Sequence, residues 1–95
     1  MEKHFYVYIM TNRTNSVLYT GVTGNLKARV YQHRTGAVAG FTKRYGVNKL
    51  VYYEIFQDAP TAIAREKQIK AGSRADKVTL VDAFNREWTD LYETL

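Results

Sequence analysis

Two runs of aromatic and β-branched residues, FYVYIM (Phe5–Met10) and VLYTGV (Val17–Val22), stand on either side of the polar segment TNRTNS. No other feature constrains the chain as tightly. Residues of these types favour strands, and the segment between them is made of turn formers. The pair therefore predicts an antiparallel hairpin. Side chains alternate faces along a strand, so Tyr6, Tyr8 and Met10 share one face and Phe5, Val7 and Ile9 the other. Gly21 interrupts the second run. A glycine inside a strand marks a place where another group approaches the backbone.

Further along, Thr23 or Asn25 can cap a helix that runs through NLKARVYQHR and stops near Gly36. A loop with glycines follows, and KLVYYEIF (Lys49–Phe56) reads as a third strand. DAPTAIAREKQIKAG reads as a helix with Pro60 in its first turn and Gly72 as its stop. SRADKVTLVDAF predicts another helix, while NREWTDLYETL fits no single pattern. The order ββαβαα implies an α/β (α+β) sandwich, a three-stranded antiparallel sheet flanked by helices.

The chain of 95 residues is sized for one domain, spanning 1–95, with a small core. It has no cysteine, which excludes disulfides and thiolate metal sites. No apolar run approaches the roughly 18 residues of a membrane helix, and MEKHFYVYIM has no long apolar leader segment. The expectation is a cytoplasmic monomer with no membrane partner. The net charge is +5 and unevenly spread. Lys27, Arg29, Arg34, Lys43, Arg44 and Lys49 fall in a stretch with no acidic residue, whereas Asp82 to Leu95 is net negative. A basic stretch suits a phosphate-bearing partner, and it equally suits a plain solvated surface.

Three further patterns stand out. On a helical wheel of Ala59–Lys70, Glu66 falls within the stripe of Ala59, Ala62, Ile63 and Ile69. A buried carboxylate is costly unless it is paired or binds a metal; a pairing with Arg65 or Lys70 at the rim is the plain alternative. On the earlier helix, Arg29 and His33 are four residues apart and share a side with Leu26 and Val30. They could clamp a phosphate and move a proton, or simply line the edge of the core. Tyr8 and Tyr19 lie on neighbouring strands, where tyrosine is a common residue.

Together, YVY at 6–8, YTG at 19–21, Arg29, His33, Glu66 and Asn85 resemble the signature of the GIY-YIG nuclease superfamily, and among its members the small single-domain bacterial proteins. Eleven residues separate Tyr8 from Tyr19, ten separate Tyr19 from Arg29, and four separate Arg29 from His33. The resemblance extends from Phe5 to about Trp88. Tyr6-Val7 stands in place of the Gly-Ile of the family name, and Thr20 in place of Ile. The resemblance implies metal-dependent hydrolysis of phosphodiester bonds, in DNA first of all, with a tie to repair or recombination. It implies that Glu66 binds one Mg²⁺ or Mn²⁺ and that Arg29 holds the phosphate oxygens. Tyr8 or Tyr19 would take the proton of the attacking water; Tyr8 assisted by His33 is favoured, leaving Tyr19 to orient water or phosphate. Gly21 would let a phosphate or a catalytic group come close, and Asn85 would support the site. Lys27, Arg34, Lys43, Arg44 and Lys49 would contact nucleic acid.

Two other readings compete. One is a nucleic-acid-binding module without catalysis, using the basic stretch and exposed aromatics. The other is a partner-dependent subunit docking through Trp88, Leu91, Tyr92 and Leu95, residues that could equally pack on the domain's own core.

Overall fold

A computed structural model describes residues 3–95. Three strands, β1 (Phe5–Thr11), β2 (Leu18–Thr23) and β3 (Lys49–Phe56), form one antiparallel sheet in the order β2-β1-β3. The hairpin register pairs Tyr8 with Gly21 and Met10 with Tyr19. The turn before β2 is held by Asn12, whose side-chain oxygen accepts from the amides of Ser16 and Val17. Four helices surround the sheet: α1 (Leu26–Arg34), the single turn α2 (Phe41–Arg44), α3 (Ala59–Ala71) and α4 (Arg74–Phe84). A 3-10 turn at Tyr92–Thr94 follows. Among the described residues, no helix is long and apolar enough to cross a membrane.

The alternation along β1 divides the core in two. Val7 and Ile9 pack with Val51, Ala62, Ile69 and Val81 under α3 and α4. Tyr8 and Met10 pack with Leu26, Val30, Val47 and Leu50 under α1. Of Thr23 and Asn25, it is Asn25 that caps α1, accepting from the Ala28 amide; Asp58 caps α3 by accepting from Thr61, and Ser73 forms a reciprocal box with Asp76 at α4.

Two expectations are corrected. The segment after Gly36 is not all loop, because Phe41–Arg44 makes a helical turn. That turn is too short for periodicity to reveal; its buried residue, Thr42, bonds His33. Ile63, expected in the buried stripe of α3, is 43 % exposed. Ala62 and Ile69 set the buried line of that helix. At about 100° per residue, Glu66 lies roughly 40° from Ala62 but Ile63 roughly 100°, so Ile63 turns out to the flank. The segment after α4, which fits no single pattern in the sequence, is mostly irregular. It packs on the domain's own core, with Trp88 on one face and Leu91, Tyr92 and Leu95 on the other.

Candidate active site

The site begins with the pairing of Tyr8 and Gly21 across the hairpin. Directly opposed residues point to the same face, so the Tyr8 ring crosses β2 at the one position without a side chain. A Cβ on Gly21 would lie 2.5 Å from both Cζ and the hydroxyl oxygen of Tyr8. Gly21 is thus a gap in the strand that the tyrosine fills.

The Tyr8 hydroxyl lies 3.1 Å from Nε2 of His33. The other ring nitrogen of His33, Nδ1, lies 3.0 Å from Oγ1 of Thr42 on α2. Tyr8, His33 and Thr42 are all buried. Helix α1 sets the histidine: Leu26, Val30 and His33 form its buried side, with Leu26 and Val30 in the core beside Tyr8. The Tyr19 ring sits 5.3 Å from His33 and 6.3 Å from Tyr8, centroid to centroid. Three rings from β1, β2 and α1 therefore cluster at one place.

Two charges bear on the cluster. Burial pushes the Tyr8 phenol up to about 12; the Arg29 guanidinium opposes that shift, while Tyr19 and Glu66 reinforce it. Burial lowers His33, and the positive charge of Arg29 lowers it further. Both groups are therefore neutral near pH 7. With the imidazole proton on Nδ1, donated to Thr42, Nε2 is free to accept from Tyr8. Arg29 is half-buried on α1, where its guanidinium also donates to Gln32.

Glu66 comes from the opposite layer. Its helix, α3, packs on β1 and β2 on the Val7 and Ile9 side of the sheet. Its carboxylate still acts electrostatically on Tyr8, whose ring extends over Gly21 on the outer strand β2. The flank of β2 is where the two layers can share a site. Glu66 is only 14 % exposed and is ion-paired with Lys70, whose Nζ donates to it at 3.4 Å, so the rim pairing open from the sequence is present. Among the described residues, no group of three or more His, Asp or Glu converges on a metal position. One carboxylate suits Mg²⁺ or Mn²⁺, since Mg²⁺ keeps several waters and binds through one or two carboxylates plus substrate phosphate. A zinc-like cage does not fit.

The remaining candidates divide. Asn85 is the C-cap of α4. Its side chain donates to the carbonyls of Val51 and Thr89 and accepts from the amide and hydroxyl of Thr89. These bonds tie α4 to β3, not to the tyrosines. Arg34 is ion-paired with Asp90 and lies 4.5 Å from the Tyr92 ring centre. Lys27, Lys43 and Arg44 are exposed, and Lys49 is half-buried at the start of β3. Thr42 is the residue that sequence reasoning missed. A threonine nine residues beyond His33 carries no periodic signal; its place within the glycine-bounded segment GFTKRYG was the available clue.

Residues 4–79 match the GIY-YIG catalytic domain family. The chain belongs to that family. It is 43 % identical over 82 residues to a UPF0213 protein of Staphylococcus haemolyticus, covering 86 % of this chain and 98 % of that one. A UPF0213 protein of Clostridium perfringens is 41 % identical, covering 82 % and 83 % respectively. The solution NMR structure of a UPF0213 protein from Bacillus halodurans superposes with a TM-score of 0.53, at 32 % identity and 84 % coverage of both chains.

Proposed function

We propose that this protein is a metal-dependent nuclease that hydrolyses phosphodiester bonds in DNA and serves repair or recombination. The observation that carries the reading is the buried Tyr8–His33 hydrogen bond of 3.1 Å, with Arg29 and Glu66 both acting on the phenol. Packing alone calls for neither charge there.

The residues divide the chemistry as follows. Tyr8 is protonated at neutral pH, so it serves as a base by relay. It accepts the proton of the attacking water as it passes its own to Nε2 of His33. Thr42 accepts from Nδ1 and holds the ring in the tautomer that can receive it. Arg29 binds the non-bridging oxygens and holds them as charge develops. Tyr19, beside His33, orients the water or the phosphate. Glu66 would hold the divalent ion, which when bound supplies Lewis-acid stabilisation of the phosphate and leaving oxygen. Lys27, Lys43, Arg44 and Lys49 would steer the backbone of the substrate.

The test uses purified protein with single-stranded, duplex, flapped and branched DNA, in Mg²⁺, in Mn²⁺ and in chelator. Glu66→Gln and Arg29→Ala run beside it, with circular dichroism as the folding control. We expect metal-dependent cleavage that each substitution lowers by about 100-fold or more. No cleavage of any substrate, with DNA binding that Glu66→Gln preserves or strengthens, would instead identify a binding module.

A further inference from the structure

We infer that Phe41 and Tyr45 form a stacking platform for an unpaired nucleobase adjoining the phosphate to be cleaved. The location of that phosphate rests on the nuclease reading; the platform rests on its own geometry.

Phe41 and Tyr45 are 47 % and 45 % exposed, with ring centroids 4.8 Å apart. Phe41 lies near-parallel to Tyr19, at 6.2 Å and 28°. Tyr19 in turn lies 5.3 Å from His33. A strip of rings thus runs from the buried Tyr8 out to solvent, ending in two half-exposed rings tilted at 49° to each other. Arg44 lies 5.4 Å from the Tyr45 ring centre, yet both rings keep nearly half their surface in water, which costs free energy for apolar groups.

The occupant follows from charge and shape. Lys43 and Arg44 lie between the two rings in sequence, and no acidic residue occurs from Lys27 to Lys49. Rings bracketing cations suit a ligand with flat π faces strung on a phosphate chain. In a duplex those faces are hidden by their neighbours, so the ligand must offer a base outside the stack. The platform is also held in place. Thr42, from the same turn, bonds His33, and the turn is bounded by Gly40 and Gly46 with φ of 97° and 63°. A base resting on Phe41 is therefore fixed relative to the proposed proton relay, which directs cleavage toward junctions between paired and unpaired DNA.

The experiment separates binding from cleavage. A DNA single strand carrying one fluorescent purine analogue, and a blunt duplex of the same sequence, are titrated with the whole protein in chelator. We expect the fluorophore in the single strand to be quenched on binding. Phe41→Leu and Tyr45→Leu, which keep bulk but lose the π face, should weaken single-strand binding at least fivefold. Duplex affinity should change less than twofold, and Phe41→Tyr should bind like the wild type. No quenching, or equal effects on single strand and duplex by variants that circular dichroism shows to be folded, would overturn the platform. Quenching without cleavage in Mg²⁺ would sustain the platform and sink the nuclease reading. Cleavage of unpaired and duplex DNA that Phe41→Leu leaves unchanged would do the reverse.

Discussion

The hydroxyl of Tyr8 occupies the space that a side chain on Gly21 would fill, 2.5 Å from where its Cβ would stand. The two residues are direct partners across the hairpin. One strand supplies the reactive group and the other supplies its room.

Gly21→Ala should therefore damage both stability and site. Tyr8 is 1 % exposed and lies in the core cluster with Met10, Leu26 and Val30. Overpacking of this kind costs about 1–3 kcal/mol, readable as a lower urea midpoint. Cleavage by the folded fraction should fall at least as far as in Tyr8→Phe. An unchanged midpoint would show that the ring can move aside.

The two neutral groups set opposite pH limits. His33 is depressed in the folded protein, so below its ordinary value of about 6.5 the unfolded chain takes up a proton that the folded one resists. Stability should decline as pH falls through that value, and less steeply in His33→Asn. Tyr8 is raised to about 12, so between about 10 and that value only the unfolded chain ionises. Stability should decline there too, less in Tyr8→Phe; Tyr52, also raised to about 12, adds to the same limb. Urea unfolding across pH for wild type and both variants reads the two limbs.

Thr42→Val keeps the shape but removes the oxygen 3.0 Å from His33. An unsatisfied buried polar group costs about 1–3 kcal/mol. The expected loss of cleavage is about tenfold, with the acid limb of the pH–rate profile displaced because the imidazole has lost its partner. Thr42→Ser should restore both. A stability loss with an unmoved profile would reduce Thr42 to a packing role.

The basic residues should not act alike. Arg34 is already paired with Asp90, whereas Lys43 is exposed. Lys43→Ala should reduce the slope of log affinity for DNA against log salt by about 1. Arg34→Ala should leave that slope nearly unchanged and lower stability instead. Binding titrations over a range of salt concentrations distinguish the two.

What could be read from the sequence was whatever obeys a short period or a local rule. The alternation in FYVYIM assigned Tyr8 and Val7 to opposite faces, and they lie in the two separate halves of the core. Asn25, one of the two caps expected for α1, accepts from the amide three residues on. The wheel put Glu66 in the stripe of α3, where its side chain is largely covered. Contacts made across long separations were not legible. Thr42 meets His33 because α2 folds back over α1, and Asp90 reaches Arg34 across 56 residues of chain. Gly21 was legible as a place of close approach, but that Tyr8 is the group that fills it appears only once the hairpin register is known.

The segment after α4 has a consequence unrelated to substrate. Strand β3 is the outer strand opposite β2, and an open outer strand invites a neighbouring molecule to add itself on. Here the Leu91 amide donates to the Leu50 carbonyl at 2.8 Å, Asp90 accepts from the Leu50 amide, and Asn85 donates to the Val51 carbonyl. A foreign strand arriving at that stretch finds its hydrogen bonds already taken. Arg34, ion-paired with Asp90, is thereby tied to the covering of a strand edge and not only to the surface charge.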